Sequence, residues 1–141
     1  MPTVKEVLND TKKRLKEQGI DTFSLDSSLL VSEVTGLTKI QLVTHDRDEV
    51  TEEQLDRLEN LVEERLKNKP MQYILGHCEF MGLDFKVTEN TLIPRGDTEN
   101  IVEEVIATIE NSGYNTVLDM CTGTGAIAIS VAHYTKAKVT A

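Results

Sequence analysis

Hydrophobic positions along this chain keep a helical spacing for its first half and then change period. Over residues 3 to 18, Val4, Val7, Leu8 and Leu15 lie on one face and charges fill the other. That spacing predicts an amphipathic helix, with Gly19 suited to its C-terminal cap. Ser24 stands where it can cap a second helix carrying Leu25, Leu29, Leu30 and Val34, closed by Gly36. A short helical piece is predicted over Lys39 to Val43. Thr51 with Gln54 three residues on reads as a capping box. It opens a long helix with Leu55, Leu58, Leu61, Val62 and Leu66 inward, and Pro70 is its stop signal. Residues 1–70 therefore predict a bundle of four helical segments, its acids spread over a solvated face.

From Met71 the period shortens. Cys78-Glu79-Phe80-Met81, then Gly82, then Asp84-Phe85-Lys86-Val87 alternates apolar and polar around a glycine, which signals a β-hairpin. Pro94 holds Ile93 extended. Thr98 is placed to cap a helix from Glu99 to Ile109, closed by Gly113. Val117, Leu118 and Asp119 read as a buried strand ending in an acid. A glycine-bearing loop follows from Cys121 to Gly125. Ala126 to Ala132 then supply an apolar run long enough for a buried helix, and a further strand begins within Ala137 to Ala141. The expected organisation is a helical bundle (1–70), a β-hairpin linker (71–90) and the start of a Rossmann-like α/β domain (91–141).

Composition narrows the function classes. A content of 39% hydrophobic and 28% charged residues describes a globular protein, and a net charge of −9 speaks against a general phosphate-backbone binder. Lys12, Lys13, Arg14 and Lys16 cluster, and a solvated helix face accounts for them. No apolar run reaches membrane length and no signal-peptide pattern opens the chain. Cys78 and Cys121 form no C-x-x-C pair, so reduced thiols in the cytoplasm are expected. His45, His77 and His133 lack metal-ligand spacing.

The chemistry-bearing stretch is Asp119 to Gly125 with the helix behind it. Gly123 and Gly125 permit a sharp turn and a backbone that lies against a ligand, and the first N–H groups of the helix face the same space. A bare G-x-G is equally the mark of a tight βα turn with no ligand. No G-K-[ST] follows, so a phosphate loop is disfavoured, and Ala128 occupies the third glycine place of G-x-G-x-x-G. Asp119 would repel a polyanion. A ligand with a cationic part and a ribose fits better, and S-adenosylmethionine is such a ligand. The stretch resembles the first motif of class I methyltransferases, with Cys121 where the first glycine often stands. From that substitution the backbone at Cys121 is expected not to need positive φ, although the thiol adds bulk beside the ligand.

Four stretches together narrow the resemblance. M-Q-Y-I-L-G (71–76), E-F-M-G-L-D-F (79–85), L-I-P-R-G-D-T-E (92–99) and V-L-D-M-C-T-G-T-G-A-I-A (117–128) follow one another behind a helical front domain. In that order they look like the HemK-family N5-glutamine methyltransferases of bacterial peptide-chain release factors. The resemblance covers essentially all 141 residues. It implies methyl transfer from S-adenosylmethionine to the glutamine of a release factor's Gly-Gly-Gln motif. It further implies that Asp119, Cys121, Thr122, Gly123, Thr124 and Gly125 belong to the cofactor site, with Asp119 near the methionine part, and that the helical domain helps to grip the release factor. The family's Asn-Pro-Pro-Tyr motif and the acid that takes the ribose hydroxyls are absent from residues 1–141. These residues therefore read as an N-terminal portion, expected to be inactive alone, and no catalytic or metal-binding residue is assigned. A nucleic-acid adenine methyltransferase and a non-catalytic partner-binding helical module are the competing readings. The acidic charge disfavours the first of these. The oligomeric state is left open. An ordered bundle joined to a mobile or self-associated C-terminal part is expected, because Val117 and Leu118 need neighbours on both edges.

Overall fold

Seven α-helices and four short strands make up the computed structural model, which describes residues 1–141. They fall into two units, Met1–Leu75 and Gly76–Ala141, and each has a core of its own.

The first unit holds α1 (Val4–Glu17), α2 (Phe23–Thr35), α3 (Gln41–Thr44), α4 (Glu52–Leu66) and α5 (Met71–Leu75). Two capping boxes fix helix starts. Thr51 and Gln54 form the expected one on α4, and Thr3 and Glu6 form another on α1. Val4 N–H donates to the Asp48 carbonyl and Val50 N–H to that of Pro2, both at 2.9 Å, which ties the chain start to the segment before α4. Leu15, Leu30, Val31, Val50, Leu58 and Val62 are buried at the centre of the bundle.

Several local expectations need correction. Ser24 does not cap α2: the helix starts at Phe23, behind Thr22, whose hydroxyl donates to the Asp26 carboxylate instead of accepting from a first-turn N–H. Leu25 is 49% exposed, and the inner face of α2 is Asp26, Ser27, Leu30, Val31 and Val34. Asp26 is thus no solvated acid. Its Oδ2 accepts from Arg65 Nε at 2.8 Å, and Arg65 donates again to the Lys69 carbonyl, so the charge is buried with partners. Pro70 does not stop α4 either. That helix ends at Leu66, the turn passes through Asn68 at φ 63°, and the Pro70 carbonyl accepts from the Tyr73 and Ile74 N–H groups in the unexpected helix α5.

In the second unit β1 (His77–Phe80) and β2 (Leu83–Lys86) form the hairpin, with Phe80 opposite Leu83 across a two-residue turn. Both turn residues have positive φ, Met81 at 52° and Gly82 at 73°, as a type I′ turn requires. Cys78, Phe80, Phe85 and Val87 point inward. Phe80 and Phe85 meet edge to face at 6.1 Å and share their core with Val102, Ala126 and Val131. The hairpin tip is pinned from two helices. Met81 N–H donates to Glu99 at 2.9 Å, and Tyr134 Oη donates to the Met81 carbonyl at 2.5 Å.

A single 3₁₀ turn over Gly96–Thr98 leads into α6 (Glu99–Ser112). Thr98 already has helical backbone angles and its hydroxyl makes no capping bond, contrary to expectation. The helix runs to Ser112 before Gly113, at φ 74°, ends it. Then β3 (Thr116–Leu118), α7 (Ala126–Tyr134) and β4 (Lys138–Thr140) form one parallel βαβ unit with Val117 opposite Val139. The expected buried strand is half open: Val117 packs on the core, while Leu118 is 64% exposed. A strand with one paired neighbour leaves its second edge bare. No helix is long and apolar enough to cross a membrane.

Candidate functional site

The strand β3 runs out at Leu118, and the next seven residues return the chain to the start of α7. Asp119 is held at the strand end, its N–H donating to the Thr140 carbonyl at 2.8 Å. Its side chain then organises the loop. Oδ2 accepts from Thr122 Oγ1 at 2.9 Å and from the Ala128 N–H at 3.2 Å. Ala128 is the third residue of α7, so Asp119 satisfies one of that helix's orphan donors from outside it. A carboxylate facing a helix N-terminus is also favoured by the helix dipole.

Three loop residues have positive φ: Cys121 at 61°, Gly123 at 59° and Gly125 at 81°. The expectation that Cys121 does not need the left-handed region is overturned. The turn imposes that geometry and a side-chain residue bears it. A Cβ at Gly123 would meet nothing within 4 Å, so the backbone there lies open. Gly125 is buried, and a Cβ would come within 2.9 Å of Ile129 Cδ1. With Ala128 N–H taken by Asp119, the N–H groups of Ala126 and Ile127 are the open donors of the first turn.

In front of this loop lies a cavity of about 340 Å³. Cys121, Thr122, Gly123 and Thr124 line one wall, and the Leu92–Arg95 segment with Thr98 lines the other. The remaining two expected site residues stand behind the wall: Asp119 and Gly125 shape the loop and do not line the cavity. Leu92 to Arg95 were legible in the sequence only as part of a motif. Pro94 keeps that strip extended, which lets it run along the cavity mouth. The hollows along α6 and β3 are larger, about 460 Å³ each, but mainly apolar side chains and a free strand edge line them, with no helix N-terminus opening into them. No three His, Cys, Asp or Glu side chains come together as a metal site.

The thiols differ. Cys121 is exposed at the cavity wall, whereas Cys78 is buried in the hairpin, and burial pushes its thiol above the usual range, with Asp84 adding to the effect.

The chain matches the family model described as the PrmC N-terminal domain over residues 6–76. It is 41% identical over 133 residues to the release factor glutamine methyltransferase of Clostridium acetobutylicum, covering 94% of this chain and 47% of the relative. It is 37% identical over 132 residues to the enzyme of the same name from Moorella thermoacetica, covering 94% and 47%. It is 40% identical over 130 residues to that of Geobacter sulfurreducens, covering 92% and 45%. The chain thus spans about half the length of these curated relatives.

Proposed function

The chain belongs to the PrmC N-terminal domain family, and on that premise we propose that its protein methylates the glutamine side-chain nitrogen in the Gly-Gly-Gln motif of peptide-chain release factors. One observation carries the reading: similarity to named release factor glutamine methyltransferases runs through both units, 94% of the chain, and not through the helical domain alone. Residues 1–75 act as the substrate-gripping module, and 76–141, which open with the β1–β2 hairpin, as the N-terminal part of a Rossmann-like methyltransferase domain. The parallel βαβ unit supports that last assignment. The reaction belongs to the cytoplasm, where release factors work.

The residues present fit S-adenosylmethionine as the methyl donor. The loop itself contains no lysine or arginine, Arg95 on the facing wall being the one cation at the cavity; the backbone is open at Gly123, and the donors of Ala126 and Ile127 suit a carboxylate. A cavity of about 340 Å³ lies within the range of small-ligand sites. When bound, the cofactor supplies an electrophilic methyl on a sulfonium. The chain's own contribution is placement. Cys121 to Thr124 would form one wall and Ile93 to Arg95 the other. Asp119 would hold the loop in shape from behind and place a negative charge near the cationic end. No residue of 1–141 is placed to align an amide nitrogen, a poor nucleophile whose rate gain comes from being held in line. Residues 1–141 by themselves are therefore inactive.

A chimera tests the whole reading. Residues 1–141 replace the matching part of the Clostridium acetobutylicum relative, and radiolabelled methyl transfer to a release factor is followed. Transfer to the Gly-Gly-Gln glutamine is expected from the chimera and none from residues 1–141 alone. A folded chimera that binds the cofactor and labels no release factor would sink it.

A further inference from the structure

The first unit has a groove that the cofactor site does not use. It lies between α1 and α4 and encloses about 450 Å³. Its floor is apolar, formed by Val7, Leu55, Leu58 and Val62, of which three are nearly fully buried. Its rim is acidic, with Glu6 and Asp10 from α1 and Asp56 and Glu59 from α4. Helical spacing explains the arrangement. Glu6, Asp10 and Arg14 are four residues apart and line up along one edge of α1, and Asp56 and Glu59, three apart, share one edge of α4.

Charge on this rim is not balanced within the chain. Arg14 is the one cation in the lining, and it is spent on Glu59 through a bidentate pair at 2.5 and 2.6 Å. Glu6 accepts from the Thr3 N–H and hydroxyl, which holds its carboxyl below the ordinary range and keeps it ionised. Glu6, Asp10 and Asp56 form no salt bridge. Three exposed carboxylates without an ionic partner around an apolar floor are what a positively charged amphipathic segment complements.

We propose that the α1–α4 groove is a docking site for a basic amphipathic peptide segment of a partner protein, its aliphatic side chains on the Leu55–Leu58 floor and its Lys or Arg residues on the Asp10–Asp56 rim. The proposal deepens the reading of the first unit as the protein-gripping module and rests on it. It does not depend on methyl transfer. An aliphatic anchor supplies affinity by leaving water, and the paired charges set register and exclude acidic partners.

The probe is a labelled 18-residue helical peptide with leucines along one face and lysines flanking them, titrated into the 141-residue chain by fluorescence anisotropy. Isotope-edited NMR locates the contact. Shifts are expected at Thr11, Leu55, Leu58 and Glu59. The exposed double substitution D10K/D56K is expected to weaken binding at least tenfold. A peptide of the same composition with its leucines scattered should also bind at least tenfold more weakly. Shifts elsewhere, or binding indifferent to D10K/D56K, would overturn the proposal. So would equal binding of the scattered peptide, which would mark mere charge attraction, or displacement of the peptide by micromolar calcium, which would make the rim a cation site. Titration of the same variant with S-adenosylmethionine should be unchanged, so failure of the groove and failure of the cofactor site are read separately.

Discussion

Cys121 has a glycine's backbone angle and a side chain that nothing covers. Left-handed geometry costs an L-residue roughly 1–2 kcal/mol, and a glycine returns part of that by losing more chain entropy on folding, about 0.4–1 kcal/mol. Cys121→Gly should therefore stabilise the second unit by about 0.5–1 kcal/mol in urea unfolding, with the shape of the loop kept. A destabilised variant would mean that the thiol makes a contact worth more than the strain. Gly125 shows the converse: it is buried at φ 81° with Ile129 against it, so no substitution relieves anything there. The same loop makes Asp119 a brace for Thr122 and α7. An acid at a strand end is visible in sequence. What it will hold depends on where the loop brings Ala128.

At the scale of elements, the separate sequence stretches explain one another. The E-F-M-G hairpin and the L-I-P-R-G-D-T-E stretch are far apart in their chemistry, yet Glu99 accepts from Met81 N–H, and Tyr134 of α7 bonds the Met81 carbonyl. A methionine at positive φ in a tight turn is held because both its backbone groups are taken. Tyr134→Phe should cost about 1 kcal/mol, the net worth of one hydrogen bond, with loss of hairpin amide protection. Unchanged stability would show the tip to be held by the turn alone. In the bundle, Arg14 holds the Glu59 carboxyl below its ordinary value of 4.5 through paired hydrogen bonds. A carboxyl whose folded value is depressed adds stability above the unfolded value and loses it as pH falls through the folded one. Acid titration should therefore show a small loss of bundle stability from about pH 4.5 downward, on the order of 0.5 kcal/mol because the pair is partly exposed and screened by water. Glu59→Gln should abolish that part of the slope, and an identical slope in the variant would remove the pair from the account.

The two units differ in how completely each buries itself. Twelve buried apolar residues form the core of the first and five that of the second, so the first should open at the higher free energy. In the second, Leu118 and Met120 lie exposed beside β3, and Ile129 is half exposed on α7. Native-state hydrogen exchange should find amides of β3, β4 and α7 exchanging at least tenfold faster than those of α1, α2 and α4. Equal protection in a monomer would show that one parallel strand pair with α6 and α7 suffices. The same apolar surfaces set a concentration dependence: self-association should appear through the second unit first, as line broadening confined to residues beyond 115.

Local rules were enough for what is decided within a few residues. The Thr51–Gln54 box, the glycine stops at Gly36 and Gly113, the hairpin around Gly82 and the strand–loop–helix order from 116 to 134 all follow from spacing and backbone permission. The motif order likewise named a family from residues alone. Tertiary structure decided the rest, because it depended on partners distant in sequence. Arg65, 39 positions away, makes Asp26 an interior charge where a hydrophilic side chain reads as surface. The turn at Asn68 releases Pro70 to open a helix where it reads as a stop. Cys121 accepts positive φ because the loop must bring Thr122 to Asp119, a demand no property of cysteine reveals. Periodicity specifies which face of an element is apolar; only packing specifies what that face will meet.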